Sequence, residues 1–340
     1  MIIPHLLLSI FAVVAAAVVS AAVTWAIRPW LLRHALAKPN ARSSHRIPTP
    51  QGAGIAVIGA TVVVAGAIVA YADKLNSNVL LAVFAASLFM AVVGFADDVK
   101  SIPVLPRLIL QAVAVGTILF TVPSDIRIVP AAPLWIERGL LLLAGLWFVN
   151  LVNFMDGLDW MTVAEVVPIT ATMVVLGWFG EFPPSAAIVA AALCGAMAGF
   201  APLNRPVAKV FLGDVGSLPI GLLLGWCLLQ LAYNQQIVAA MLLPLYYLAD
   251  ATVTLLRRLT RGEPVWAAHR SHFYQRATDN GFTVLRVTGE VFALNIALAA
   301  LAAGSIMTPS VMIRILFLIA GGLATALLLY RFSRRRPGSS

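Results

Sequence analysis

Two adjacent aspartates, Asp97 and Asp98, close an apolar run that starts at Val79, and Lys100 and a proline follow them. At a helix C-terminus the two carboxylates repel each other and also face the negative end of the helix dipole. A polar helix end with Lys100 as its partner is the plain reading. A bound divalent cation or a nearby arginine answers both repulsions. A second stretch, NLVNFMDGLDW, spaces Asn150, Asn153, Asp156 and Asp159 by three. On a helix the first three form one polar stripe. Such a stripe serves either interhelical hydrogen bonding or a set of oxygen ligands at a membrane edge.

In NRPVAKVFLGDVGSLPIG, Asp214 sits between two glycines just before a helix, with Ser217 as the expected N-cap. Free N–H groups at such a terminus suit a phosphate. A carboxylate beside them suits Mg²⁺ bridging protein and phosphate oxygens, whereas a tight turn with a cap is the plain alternative. NARSSHRIPTPQGAG offers Arg42, Ser43, Ser44 and His45 for a phosphate, or simply a basic loop. In AHRSHFYQRA, His269 and His272 stand three apart among Arg270, Tyr274, Gln275 and Arg276. A zinc site lacks its remaining ligands there, so a cationic phosphate clamp is the better reading.

These stretches must be positioned by membrane helices. The 340-residue chain is 61% hydrophobic and 11% charged, with mean hydropathy +0.94. Apolar runs of roughly 16–25 residues recur throughout, the length needed to span a bilayer, and this excludes a soluble globular protein. Runs of this length without alternation are helices, because helices satisfy their own backbone in lipid. The expected fold is all-α, a polytopic bundle of about 11 transmembrane helices. They run Ile2–Ile27, Gly54–Tyr71, Val79–Ala96, Leu108–Val122, Leu134–Val152, Val163–Trp178, Ala186–Ala201, Ser217–Ala232, Ile237–Leu256, Val284–Ala303 and Val311–Phe332. Residues 1–332 form one integral-membrane domain, and 333–340 a basic tail. The first run lacks a preceding basic residue and is too long for a secretory h-region, so it is expected to be retained.

If the helices alternate, nineteen of the Lys and Arg residues fall on one side and four, Lys74, Arg127, Arg138 and Arg314, on the other. The positive-inside rule then puts the N-terminus outside and the C-terminus in the cytoplasm. It also accounts for the net charge of +9 without a nucleic-acid partner. Seven of the nine aspartates share the basic side. Acidic residues set topology weakly, so topology does not explain them. Cys194 and Cys227 lie within apolar runs and read as small buried hydrophobes. A face with Asp and Asn oxygens, basic loops and glycine-rich helix ends suits Mg²⁺ and a diphosphate, with a lipid co-substrate entering between helices. The alternative is a transporter or lipid flippase, which would place its site near the midplane.

RSSHRIPTP, FADDVKSIP, NLVNFMDGLDW, FLGDVGS and AHRSHFYQR occur in that order, each in an expected cytoplasmic loop. Together they resemble the polyprenyl-phosphate N-acetylhexosamine-1-phosphate transferase family (glycosyltransferase family 4), relatives of phospho-N-acetylmuramoyl-pentapeptide transferase. The resemblance implies transfer of a sugar 1-phosphate from a UDP-N-acetylhexosamine to undecaprenyl phosphate, releasing UMP, at the cytoplasmic face of the bacterial inner membrane. It implies Mg²⁺, with Mn²⁺ as a substitute, and admits a homodimer. By position it implies catalytic roles for Asp97, Asp98, Asp156 and Asp214, with metal ligands drawn from Asp214, Asn153 and Asp156. Substrate contacts would come from Arg42, Ser43, His45, Lys100, Arg107, Asn150, Asn153, Asp159, Phe211, His269, Arg270, His272 and Arg276. A direct displacement and a phospho-enzyme both remain open. The histidines are separated by Arg270 and Ser271 instead of forming a run of three. Trp160 stands where the family often has glycine, and Arg107 where lysine is frequent. These departures favour the branch that primes O-antigen, capsule or related polysaccharides over a pentapeptide substrate.

Overall fold

In the computed structural model, residues 2–37, 48–72, 77–264 and 269–335 are described. Thirteen helices are seen among them. They are α1 (Ile2–His34), α2 (Gly54–Ala72), α3 (Ser77–Val99), α4 (Val104–Phe120), α5 (Leu134–Met155), α6 (Met161–Trp178) and α7 (Pro184–Phe200). α8 (Asp214–Tyr233), α9 (Ile237–Leu242), α10 (Leu245–Thr260), α11 (Phe273–Asp279), α12 (Val284–Met307) and α13 (Val311–Phe332) follow. A two-residue antiparallel ladder, β1 (Leu36–Ala37) with β2 (Thr49–Pro50), and a parallel bridge between Gln51 and Phe211 are the β-structure among the described residues.

Eight helices are long and apolar enough to cross a membrane, and α4 and α7 are shorter apolar helices. The expected single helix over 237–256 is broken into α9 and α10 at Leu243 and Pro244, where proline has no N–H to continue the ladder. α1 runs to His34, so Arg28 and Arg33 ride on a helix and not in the expected loop. At 33 residues it is roughly 50 Å long, more than the hydrocarbon core needs.

Small residues decide which helices touch. α7 is buried along nearly its whole length, and a side chain at Gly195 or Gly199 would overlap the α1 carbonyls of Val13 or Ala17. This is close backbone packing of the small-xxx-small kind, which replaces the missing hydrophobic drive inside lipid. α8 is the central helix, packed on α2, α3 and α5. On the far side, α6 and α12 are joined inside the apolar region. Asn295 Nδ2 donates to Glu165 Oε2 at 2.7 Å and to the Ala164 carbonyl at 2.9 Å.

Candidate active site

The C-terminus of α3 meets the N-terminus of α8 through glycines. A Cβ on Gly94 would overlap the Asp214 carbonyl, and one on Gly54 would overlap Gly216. With backbones this close, Asp98 reaches across the gap. Its Oδ1 accepts from the Asp214 N–H at 3.0 Å and its Oδ2 from the Val215 N–H at 3.0 Å, while the Gln51 amide also donates to Oδ1. The carboxylate that is unfavourable at the end of its own helix thus caps the positive end of a neighbour. The Gly216 and Ser217 N–H groups both bond the Gly213 carbonyl. All four leading N–H groups of α8 are therefore engaged, and the expected free phosphate cradle is absent. Ser217 is not the N-cap either. Gly213 holds that position at φ +77°, and Ser217 lies a turn inside.

Asp97 is 9% exposed. Its Oδ1 accepts from the Ile102 N–H at 2.6 Å and its Oδ2 from Arg107 Nη1 at 2.8 Å. Arg107 therefore takes the partner role considered for Lys100, which is exposed. The carboxyls of Asp97 and Asp214 lie within hydrogen-bonding reach of each other. Asn153 Nδ2 donates to Asp214 Oδ1 at 2.7 Å and to the Ser217 hydroxyl at 2.9 Å. Three carboxylates and an amide from α3, α5 and α8 form one cluster.

The rest of the predicted polar stripe divides. Asn150 turns away to α4, donating to Gln111 Oε1 at 2.6 Å, and so serves interhelical bonding. Asp156 ends α5 and accepts from the Thr162 hydroxyl. Burial, and then the charges of Asp98 and Asp159, push its carboxyl up to about 7 against that hydrogen bond. Asp159 Oδ2 accepts from the Ala208 N–H at 3.0 Å. Phe211 is pinned beside Gln51. Its N–H donates to the Pro50 carbonyl at 2.8 Å, and its own carbonyl accepts from Gly52 and Ala53. Arg42, Ser43 and His45 lie outside the described residues.

The His-rich segment holds α11, which the sequence reading did not anticipate. Fully buried Asp250 of α10 accepts from the Phe273 N–H at 3.0 Å, the Tyr274 N–H at 3.1 Å and His272 Nδ1 at 3.2 Å, capping α11. The Tyr274 hydroxyl donates to the Phe154 carbonyl at 3.0 Å, and Gly157 leaves it room. α11 is thereby docked on the end of α5. The His269 and His272 rings lie 4.8 Å apart. Burial, then the neighbouring His272 and Arg258, push His269 down to about 4. It is neutral at neutral pH. Its Nδ1 accepts from the Ser271 backbone N–H at 3.3 Å, which leaves Nε2–H as the donor. The expected cationic character therefore does not come from His269. Arg270 is paired with Asp279 at 3.1 Å. Arg276 and Arg257 both stand over the Phe273 ring, and Nη1 of Arg276 is buried with no protein partner.

Among the described residues, no three His, Cys, Asp or Glu side chains make a ready-built metal cage. The donor set nevertheless fits a hard cation. Two carboxyls, Asp97 and Asp214, lie side by side, Asp97 also paired with Arg107 and Asp214 also bonded by Asn153. Mg²⁺ takes one or two carboxylates and completes its shell with water and substrate phosphate. Asn153 presents its amide nitrogen to Asp214, and Asp156 is turned to Thr162. Of the expected set Asp214, Asn153 and Asp156, Asp214 thus lies beside Asp97 and Asn153, and Asp156 stands apart on Thr162.

A sequence model described as glycosyl transferase family 4 matches residues 80–232, from α3 through α8. Over that segment the chain is similar to glycosyl transferase family 4. Its similarity to individual relatives extends further. It is 27% identical over 302 residues to the decaprenyl-phosphate N-acetylglucosaminephosphotransferase of Mycobacterium tuberculosis H37Rv, covering 74% of this chain and 71% of that protein. A Bacillus subtilis 168 protein named "Probable undecaprenyl-phosphate N-acetylglucosaminyl 1-phosphate transferase" is 26% identical over 284 residues, covering 77% and 76%. The phospho-N-acetylmuramoyl-pentapeptide-transferase of Streptococcus pneumoniae 19F is 26% identical over 244 residues, covering 66% and 73%.

The family segment contains Asp97, Asp98, Asn153, Asp156 and Asp214, whereas α11 lies beyond it and joins through Asp250 and Tyr274. Sequence reasoning missed several supporting residues. Asp250 carried a signal, a carboxylate two turns into a helix with apolar neighbours. Asn204 carried one too, as the polar residue that begins NRPVAKVFLGDVGSLPIG. Gln51 and Thr162 carried none, since their roles depend on which helix end lies beside them.

Proposed function

We propose that the chain transfers an N-acetylhexosamine 1-phosphate from a UDP-sugar to undecaprenyl phosphate, releasing UMP and priming a surface polysaccharide such as O-antigen. The reading places the protein in the bacterial inner membrane as one domain, residues 1–332, with about eleven spans and the carboxylate cluster at the cytoplasmic face. The observation that carries it is the convergence of Asp97, Asp98, Asp214 and Asn153 from three helices in a chain whose family relatives are named as polyprenyl-phosphate transferases.

In the reaction an oxygen of the lipid phosphate attacks the phosphorus that bears the sugar. The bond from that phosphorus to the bridging oxygen breaks, and UMP leaves with the bond's electrons. Asp97 and Asp214 would hold Mg²⁺, which would supply charge to offset that of the diphosphate. Asp98 fixes the N-terminus of α8 and hence the place of Asp214. Arg107 pairs with Asp97 and aims it. Arg276, with an unpartnered guanidinium nitrogen, and the Nε2–H of His269 are free to bind diphosphate oxygens. A lipid phosphate is already ionised near neutral pH, so no strong base is called for. Asp156, pushed up to about 7, suits hydrogen-bond donation to the nucleotide.

The polyprenyl chain has a place to go. An apolar cavity of about 270 Å³ lies between α4, α5, α8, α9 and the start of α10, walled by Val115, Phe148, Gly225, Trp226, Met241 and Leu248. The experiment is incubation of purified protein with undecaprenyl phosphate, Mg²⁺ and a panel of UDP-sugars. UMP release with an N-acetylhexosamine donor is expected. Folded protein that releases none with any such donor contradicts the reading.

A further inference from the structure

Asn204 lies in the loop between α7 and α8, is 7% exposed, and uses its carboxamide in two directions. Its Oδ1 accepts from the Trp160 N–H at 2.8 Å, and its Nδ2 donates to the Val210 carbonyl at 3.1 Å. Trp160 ends the turn between α5 and α6, and its indole N–H donates to the Ala201 carbonyl at 2.6 Å. The adjacent Asp159 accepts from the Ala208 N–H at 3.0 Å. Three hydrogen bonds thus cross from the α5–α6 turn to the α7–α8 loop, and a fourth stiffens the loop next to Phe211.

Trp160 holds φ +65°, a left-handed conformation that is unfavourable for a bulky side chain and persists only where the surroundings over-determine it. The bonds around it do so. Beyond Val210 the segment is gripped from the other side. The Phe211 N–H donates to Pro50, the Gly54 N–H to Leu212, and Asp98 takes the N–H groups of Asp214 and Val215. Asp214 therefore hangs between two fastenings, one at the start of α2 and the end of α3, the other at Asn204.

We propose that Asn204 and Trp160 are positioning residues. They hold Asp214 in place beside Asp97 by clasping the α7–α8 loop to the α5–α6 turn. This rests on the transferase reading above for its kinetic consequence, but not for its structural one.

The test compares wild type with Asn204→Ala, Asn204→Asp and Trp160→Phe. Steady-state kinetics are measured on the UDP-sugar, alongside hydrogen exchange of residues 204–216 and of the reference region 284–332. For Asn204→Ala, kcat falls roughly tenfold to a hundredfold, the effect of a misplacement near 1 Å. Donor KM changes far less, and exchange quickens in 204–216 alone. Asn204→Asp keeps an acceptor for the Trp160 N–H and recovers part of kcat. Turnover within about twofold of wild type, or exchange rising equally in both regions, overturns the proposal. Should Asn204→Ala not fold, Trp160→Phe keeps the ring, loses one donor and shows the same local pattern in smaller measure; unchanged exchange at 204–216 there overturns it. The exchange arm needs no substrate. Wild-type protein that releases no UMP would therefore defeat the transferase reading while leaving the clasp to be decided.

Discussion

Asp98 and Asp97 are neighbours with different work. Asp98 is spent on two backbone N–H groups of α8, whereas Asp97 is paired with Arg107 and faces Asp214. Asp98→Ala should therefore lower stability by about 1–2 kcal/mol, the worth of a helix cap, read as a drop in thermal midpoint in detergent, and should also cut turnover. Asp214→Asn removes charge from the facing pair without changing shape. It should lower kcat roughly a thousandfold while the protein still inserts and folds; full activity would remove Asp214 from the site. His269 gives a pH prediction. Its fold value of about 4 lies below the ordinary 6.5, so the unfolded chain binds the extra proton. The stability it confers is intact above pH 6.5 and lost as pH falls toward 4. His269→Gln should flatten the thermal midpoint over that window, and a slope equal to wild type would contradict it. At this scale the sequence pointed to the carboxylates, because charge inside an apolar chain stands out. It did not reveal that Asn150 belongs to Gln111 or that Arg107, ten residues on, replaces Lys100. Those pairings depend on helix rotation and on which helix ends adjoin.

At the scale of elements the site is built by close backbone approach. Gly94 and Gly54 allow α3 and α2 to touch the first turn of α8. Gly94→Ala and Gly54→Ala should each push α8 away and reduce folded, active protein severely. Gly59→Ala, on α2 where a Cβ meets open space, should be neutral or stabilising by up to about 1 kcal/mol. Comparing folded yield by size-exclusion chromatography separates the three. Helix spans were legible because apolar runs and their proline and glycine ends were legible. The break at Pro244 was signalled by proline but masked by the apolar run continuing past it. α11 was not legible, since a seven-residue helix has no periodicity of its own and exists because Asp250 caps it.

Across the whole molecule the Asp97, Asp98, Asp214 and Asn153 cluster stands at one end of the bundle, where α3 and α5 finish and α8 begins, while an apolar cavity extends from mid-span toward the other end, where Arg127 pairs with Glu137. This division matches a substrate pair with one water-soluble partner and one in lipid. The one-sided placement of the aspartates in the sequence pointed to such a cluster, although not to its contacts. A transporter would instead move solute across the membrane and leave the nucleotide intact. The most direct measurement is the identity of the nucleotide released when purified protein meets undecaprenyl phosphate, Mg²⁺ and a UDP-N-acetylhexosamine in vesicles. The account predicts UMP, formed in equal amount with a lipid diphosphate sugar. Release of UDP, or unbroken UDP-sugar appearing on the far side of the vesicle, would contradict it.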